Sequence, residues 1–199
     1  PQWASAVPQA PRNGSWRSVG STSSKASPMN DISIVRARLH DVSCIMGIME
    51  EAKGIMRADG NPTQWPEGYP ATQTIEADIA SGSGYLCVSN GVAVAYFAFL
   101  KGPDPTYTDI QGGSWLAPSR PYSVLHRVAS RAGTHGIFSA VLRFCSAIDA
   151  NIRVDTHADN RIMQHCLLRN GFTRRGIIHV ADGTERIAYQ HIADSLDAV

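Results

Sequence analysis

The sequence predicts an α/β fold, in the α+β sense, in which helices cover both faces of a mixed, mostly antiparallel sheet. Two dipeptides, Asn90-Gly91 and Asp182-Gly183, each stand between two apolar runs, a strong short-range indication of a β-hairpin. Residues 121–156 read as strand, helix, strand, which predicts a parallel pair joined by a right-handed crossover. The hairpins make the sheet largely antiparallel, and the crossover makes it mixed.

Taken in order, the elements are expected to follow one another as β-α-α-β-β-β-α-β-α-β-β. The alternating run "ISIVRAR" predicts the first strand. Asp41 is placed to cap a helix that Gly60 ends, and Thr72 opens a short helix to about Ser81. The later elements are expected in "GYLCVSN", "GVAVAYFAFLKG", "YSVLHRVAS", "GIFSAVLRFCSAIDA", "IRVDTH", "ADNRIMQHCLLRNGF", "TRRGIIHV" and "TERIAYQHI".

One domain is expected over residues 30–199. Residues 1–29 are rich in Ser, Pro, Gly and Ala and show neither the helical nor the strand period. They are expected to be a disordered arm or upstream sequence, outside the fold.

Composition excludes several classes of partner. The net charge of +1 gives no global field to attract nucleic acid or an anionic membrane. The sequence has no run of about 18 apolar residues, so no transmembrane helix is expected. Its four cysteines form no CxxC pair, which favours reduced thiols in the cytoplasm over a disulfide framework or a metal site. We therefore expect no metal.

The segment "RAGTHG" is the clearest candidate for a ligand site. It carries Gly133 and Gly136 between a strand and a helix, and no Asp or Glu occurs between Asp109 and Asp149. A helix N-terminus with free amides binds anions, and glycine lets the backbone approach them closely. The segment lacks the GxxxxGK[ST] and GxGxxG patterns, so a phosphate or pyrophosphate site of another kind is expected. An ordinary tight turn between strand and helix would produce the same pattern.

Several segments together resemble the GNAT superfamily of acetyl-CoA-dependent N-acetyltransferases. "GTHGIF" stands where that family has [Q/R]-x-x-G-x-[G/A]: Gly136 matches, whereas Gly133 and Phe138 depart from the pattern. "HRVAS" resembles the family's fourth strand, and "IRVDTHADNRIMQHCLLRNGFTRRGII" is similar to its fifth strand and fourth helix. "ERIAYQ" and "QWPEGYP" also resemble segments of bacterial members. The resemblance covers about residues 31–192 and implies a sheet whose fourth and fifth strands splay apart.

The resemblance implies acetyl-CoA as the acyl donor and names the residues that would bind it. The pantetheine arm would pair with the fourth strand, and the pyrophosphate would lie on the amides of the glycine segment. Asn160 matches the family Asn that reaches the cofactor, although Asn is also a good helix cap. The residues implied are Val128, Ala129, Ser130, Gly133, Thr134, His135, Gly136, Ile137, Phe138 and Asn160.

Catalysis by this family needs an amine freed of its proton to attack a thioester. His126 has a suitable unperturbed pKa and, on an alternating strand, would share a face with Val124 and Val128; a structural histidine fits the same pattern. Leu167 stands where many members have a tyrosine acid, so Tyr189 or water would serve, or no acid is needed. We expect His126 and Tyr189 to be the catalytic residues.

Acceptor recognition is expected from two loops rich in Pro, Gly and aromatic residues, and from strand ends. Aromatic faces suit an apolar or cationic acceptor, although these rings would equally serve as loop clamps. The candidates are Trp65, Tyr69, Tyr107, Trp115, Asp155 and Glu185. The partners implied are acetyl-CoA and a primary amine of a small molecule or peptide; a homodimer is common for this kind of fold. The rival functions are transfer of a longer acyl group and a catalytically silent acyl-CoA-binding module.

Overall fold

The computed structural model describes residues 32–193, so the expected N-terminal arm lies outside the described residues. The predicted order of strands and helices is confirmed. The strands are β1 (Ile32–Arg36), β2 (Gly84–Ser89), β3 (Val92–Lys101), β4 (Ser123–Ser130), β5 (Asn151–Thr156), β6 (Thr173–His179) and β7 (Glu185–Ile192). The helices are α1 (Val42–Ala58), α2 (Thr72–Ala80), α3 (Ile137–Ser146) and α4 (Arg161–Arg169). No helix within residues 32–193 is long and apolar enough to cross a membrane.

The seven strands form one mixed sheet in the order β1-β2-β3-β4-β5-β7-β6. All neighbours are antiparallel except β4 and β5, the pair joined by the α3 crossover. That parallel pair is in register only at Ser123–Ile152 and Val124–Arg153. Beyond Val124, β4 has no strand partner on its β5 side, so the sheet opens into a cleft there, as the resemblance implied.

Side-chain alternation along the strands divides the core between the two faces of the sheet. On one face, Phe97 and Leu125 pack with Val141 of α3 and Leu167 of α4. The other face packs against α1 and α2 through a cluster made of Ile45, Ile48, Met49, Ile75, Leu86, Tyr96, Ala98 and Ala129, with Ala37 and Ala52. Most of these side chains are fully buried, which is the arrangement that a two-sided mixed sheet requires.

A β-bulge interrupts β4 where the sheet begins to open. His126 pairs with Ala98 and Ala129 pairs with Tyr96. Two steps along β3 therefore correspond to three steps along β4. Arg127, within the bulge, has a φ of 53°, in the left-handed region. Because paired residues share a face, His126 and Ala129 lie on the same side of the sheet. Uninterrupted alternation would place them on opposite sides.

The bulge overturns one expectation from the sequence. His126 was expected to share a face with Val128, but Val128 packs against the α3 face. Val124 and His126 lie on the opposite face, where Val124 joins a third cluster with Ile178 and Ala188. The pattern "VLHRVAS" has no feature from which the extra residue could be read.

Candidate functional site

Two cavities meet where β4 and β5 separate. One, here called the α3 cavity, lies beside the N-terminus of α3 and has a volume of about 510 Å³. The other, here called the His126 cavity, has about 480 Å³. Four residues line both of them, namely Met56, Val128, Asn160 and Met163. A molecule in one cavity would therefore touch a molecule in the other at these side chains.

The α3 cavity gathers nine of the ten residues expected to bind the acyl donor. The exception is Gly133, which does not line it. Its lining contains no Asp or Glu, whereas His135, His165 and Arg169 contribute groups that carry or can carry positive charge. A cavity of this kind suits an anionic ligand, and the backbone amides that open α3 at Gly136 lie along its wall.

Side chains from elsewhere in the fold hold the glycine segment in place. Glu51 of α1 accepts a hydrogen bond from the Ala132 amide (2.8 Å) and another from Arg131 (3.0 Å). The Ala132 amide is the largest cause of the lowered pKa of Glu51. Thr134 Oγ1 donates to the Arg131 carbonyl (2.7 Å). The segment is thus fastened at its first residues and open over Gly133 and Gly136, where an added Cβ would meet nothing within 4 Å.

Phe138 and Asn160 both occupy structural positions at the α3 cavity. The Phe138 ring packs edge-to-face on Phe172, so most of it is turned into the core. Asn160 caps α4 by accepting from the Met163 amide (3.0 Å). Its Nδ2 donates to Gln64 Oε1 (2.8 Å). The capping role that the sequence left open for Asn160 is therefore present, and the same side chain lines both cavities.

His126 lies in the wall of its cavity and contacts a carboxylate. Its Nε2 is 3.1 Å from Asp104 Oδ2, and the Asp104 Oδ1 accepts from the Thr106 amide (2.9 Å). The hydrogen bond from His126 is the largest cause that lowers the pKa of Asp104 below its ordinary value of 3.8. Asp104 is therefore ionised at neutral pH and can only accept. The proton between the pair consequently belongs to Nε2, and Nδ1 is the ring nitrogen that Asp104 does not occupy.

Asp155, at the end of β5, lines the same cavity. Its Oδ1 accepts from the Tyr107 hydroxyl (2.5 Å), and its Oδ2 is 3.9 Å from Arg186 Nε of β7. The pKa of Tyr107 is raised well above its ordinary value, chiefly by burial and next by the charge of Asp155. Tyr107 is thus a neutral donor that orients Asp155.

Two of the four expected aromatic residues lie in the core instead of the cavity wall. Tyr107 and Trp115 are 1% and 8% exposed, and Trp115 Nε1 donates to the Tyr107 carbonyl (3.0 Å). The Arg153 guanidinium lies 4.2 Å from the Trp115 ring centroid and 3.6 Å from that of Tyr122. The long loop before β4 folds back onto the sheet, which buries these rings. Direct acceptor contact was the wrong interpretation for both.

Trp65 and Tyr69 do line the His126 cavity, with their rings edge-to-face at 6.1 Å. Glu185 lines neither cavity and is exposed on the far side of its strand. Tyr189 also lines neither; it is 2% exposed in the core cluster on the α3 face. The face of β7 that reaches the cavity carries Arg186. The expected catalytic role of Tyr189 does not fit this position.

Six polar residues of the His126 cavity were not identified as site residues from the sequence: Gln64, Asp104, Thr106, Arg127, Asp182 and Arg186. Gln64 and Asp104 come from loops whose course no periodicity predicts. Arg127 reaches the cavity because of the bulge. Its Nε and Nη2 donate hydrogen bonds to the two carboxylate oxygens of Asp78 (2.8 and 2.6 Å). Arg186 lies in the segment "ERIAYQ". Strand alternation places it on the face opposite Glu185 and Tyr189, and this pattern could have identified it as a candidate for the cavity.

No metal-binding group is evident in the described part of the chain: nowhere in residues 32–193 do three His, Cys, Asp or Glu side chains come together in a way that could hold an ion.

The chain is similar to solved structures, and these support its fold. A scan against family models found no match, and neither did a search of curated proteins. Among solved structures, the chain is similar to a GNAT-family acetyltransferase from Streptococcus agalactiae, at 29% identity and a TM-score of 0.75, over 82% of this chain and 96% of that one.

More distant solved structures share the fold at lower identity. The chain is similar to AAC(6')-Ib, solved with paromomycin and acetyl-CoA, at 15% identity and a TM-score of 0.57, over 84% of this chain and 99% of that one. It is also similar to the GNAT-like decarboxylase GphF, solved with isobutyryl-CoA, at 13% identity and a TM-score of 0.57, over 80% and 98%. Together these similarities show that the chain has the GNAT fold, and the 29% identity to the streptococcal acetyltransferase supports assignment to the GNAT superfamily.

Proposed function

We propose that the protein is an N-acetyltransferase that moves an acetyl group from acetyl-CoA to a primary amine by direct attack in a ternary complex. One observation carries the proposal: a cavity free of carboxylates and a cavity containing a His–Asp pair meet at the opening between β4 and β5. A donor and an acceptor bound in these cavities would face each other across the four shared residues.

The α3 cavity fits the CoA moiety in two respects. An anionic pyrophosphate would find the α3 amides at Gly136 and no competing carboxylate. The β5-facing edge of β4 beyond Val124 has no strand partner, so the backbone of residues 128–130 is free to pair with the amides of a pantetheine arm. Val128, Ala129 and Ser130 all line this cavity.

The His126 cavity supplies the base. An alkylammonium must lose a proton before its lone pair can attack, and Nδ1 of His126 is the nitrogen available to take it, directly or through one water. Asp104 holds the ring and stabilises the imidazolium that results. The amine nitrogen then forms the new C–N bond and gives up its second proton to water, the C–S bond breaks, and CoA leaves as a thiolate that takes up a proton from water.

No tyrosine is placed to protonate the leaving thiolate from α4. Leu167, at the position where many members of the family have one, is fully buried. A thiol pKa near 8.5 makes the thiolate a tolerable leaving group, so water suffices as the acid. The four unpaired cysteines are consistent with action in the reducing cytoplasm.

The proposal is tested by thiol release from acetyl-CoA in the presence of a panel of primary amines, together with calorimetric titration of acetyl-CoA. Binding with amine-dependent release of CoA supports the transferase. Binding without release by any amine would indicate the silent acyl-CoA-binding module instead. Repeating the assay with propionyl-CoA and butyryl-CoA identifies a preference for a longer acyl group.

A further inference from the structure

Arg186 is a buried cation in the His126 cavity whose hydrogen bonds are incomplete. It is 8% exposed, donates to the Glu185 carbonyl (3.0 Å) and reaches the Gln64 carbonyl only at 3.5 Å. Its nearest carboxylate is that of Asp155, at 3.9 Å, which is too long for a hydrogen bond. Within residues 32–193, Nε therefore has no hydrogen-bond acceptor. A guanidinium with spare donors in a cavity wall is a site for a carboxylate or another planar anion.

The other arginine of this cavity does not offer the same site. Arg127 donates from Nε and Nη2 to the two oxygens of Asp78, so its charge is matched by a bidentate partner. Tyr96 also donates to Asp78 (2.9 Å), which completes that buried group. Of the two guanidinium groups in the wall, Arg186 is the one left to bind an anion from the cavity.

Asp155 presents the opposite charge beside Arg186. One of its oxygens is occupied by Tyr107, and the other faces Arg186 without hydrogen-bonding to it. Two opposite charges that form an ion pair at 3.9 Å without a hydrogen bond between them complement a ligand that carries both charges on adjacent groups. An α-amino acid is such a ligand, because one carbon joins its ammonium to its carboxylate.

The remaining charged residues of the cavity agree with this placement. Asp104 is engaged by His126, and Asp182, on the exposed turn after β6, is engaged by Thr184. A simple amine would satisfy Asp155 but leave Arg186 without a partner. Met56, Trp65, Pro66, Tyr69 and Met163 also line the cavity and give it apolar surface.

We propose that the acceptor is an α-amino acid with an apolar or aromatic side chain, whose carboxylate binds Arg186 and whose ammonium binds Asp155, within reach of His126. This inference rests on the proposed function, since it names the substrate class of the same site. Arg186 is thereby a specificity-determining residue. The hydrogen-bonded ion pair between the ligand carboxylate and Arg186 is lost in the same way whether the carboxylate is removed from the acceptor or the guanidinium from the protein.

The test uses the whole chain saturated with CoA or acetyl-CoA. Binding of L-leucine, L-phenylalanine and L-tryptophan to the CoA complex is measured by calorimetry, with isoamylamine, 2-phenylethylamine and tryptamine as the matched ligands without carboxylate. Acetylation of the same six compounds is followed by thiol release. The variants are Arg186→Gln, Arg186→Lys and Arg174→Gln, the last an exposed residue of β6 with the same change of charge.

At least one amino acid is expected to bind and react about 30-fold better than its matched amine, the range for a hydrogen-bonded charge pair. Arg186→Gln is expected to abolish that difference, Arg186→Lys to keep part of it, and Arg174→Gln to keep all of it. The amino acid and its matched amine are compared within each variant, so a misfolded fraction lowers both signals and leaves their ratio unchanged.

The failures of the two proposals are distinguishable. Amines and amino acids acetylated equally well, or a preference that survives Arg186→Gln, would overturn the amino-acid site and leave the acetyltransferase standing. Amino acids that bind through Arg186 but release no thiol would support the site and contradict the transferase. If none of the six compounds binds or reacts, the amino-acid proposal is wrong.

Discussion

The Nε2 of His126 lies 3.1 Å from Asp104 Oδ2, and this contact joins the β4 bulge to the loop that follows β3. His126→Gln is expected to lower kcat/KM about 100-fold, the lower range for loss of a general base, with acetyl-CoA affinity unchanged. Tyr189→Phe is the matched comparison: the hydroxyl lies outside both cavities, so activity is expected within about twofold of the wild type. Steady-state kinetics on both variants tests this. An inactive Tyr189→Phe beside an active His126→Gln would show that Tyr189, and not His126, is the catalytic residue.

Asp104 is expected to stabilise the fold except in acid. Its pKa is lowered in the folded protein, chiefly by the His126 hydrogen bond, so its contribution is present above the ordinary value of 3.8 and is lost as the pH falls through the folded pKa. Asp104→Asn should therefore lower the free energy of unfolding by about 1 kcal/mol at pH 7, a value discounted for partial exposure. Urea unfolding should show the full difference at pH 7 and a progressive loss of it as the pH falls below 3.8.

Gly136→Glu is expected to weaken acetyl-CoA binding at least tenfold, because a carboxylate beside the α3 amides repels a pyrophosphate. Gly91→Glu is the matched control, since both glycines have a positive φ (74° and 77°) and open space at the Cβ position. Both variants should lose similar stability from backbone strain. Calorimetric titration that found equal loss of affinity in both would remove the evidence for the glycine segment as the phosphate site.

Glu51→Gln is expected to weaken acetyl-CoA binding about threefold to tenfold by loosening the start of the glycine segment, through loss of a charge-assisted hydrogen bond from the Ala132 amide. The lowered pKa of Glu51 keeps its carboxylate ionised above its ordinary value of 4.5, so the ratio of wild-type to Glu51→Gln affinity should be the same at pH 5 and pH 7.5. Glu76→Gln, an exposed change on α2, should leave affinity unaltered. Titrations at pH 5 and 7.5 check both statements.

Asp78→Asn is expected to destabilise the protein by about 3 kcal/mol, because it leaves the Arg127 guanidinium in a largely buried position without a carboxylate. Glu185→Gln, at an exposed pair with His179, should change the free energy of unfolding by less than about 0.5 kcal/mol. Urea unfolding of both variants measures the contrast. Similar values for the two would show that Asp78 does not act as a buried partner.

The sequence predicted the elements that depend on local pattern and missed the positions that depend on chain path. Asn90-Gly91 and the amphipathic helices helped to give the order of strands and helices along the chain, because turn chemistry and periodicity are local properties. Tyr107 and Trp115 looked like loop residues, and only the fold of the loop over the sheet shows that they are core. Asp104 reaches His126 across 22 positions of sequence.

Most of the residues expected at the donor site lie together in the α3 cavity for a different reason. Except for Asn160, they fall between Val128 and Phe138 and follow one strand into one helix, so the resemblance of this stretch to a known family located them as a group. The acceptor residues come from separate loops and strands. One inserted residue, at the Arg127 bulge, was enough to reverse the expected face of Val128 relative to His126.

Gln64 links the two halves of the site in a way that sets an order of events. Its side-chain oxygen accepts from Asn160, which caps α4 beside the α3 cavity, and its neighbour Trp65 lines the His126 cavity. We expect a donor bound in the α3 cavity to contact Asn160 and, through its hydrogen bond to Gln64, to stabilise the loop that carries Trp65. We therefore expect sequential kinetics in which the acyl donor binds before the amine and no acetylated enzyme accumulates.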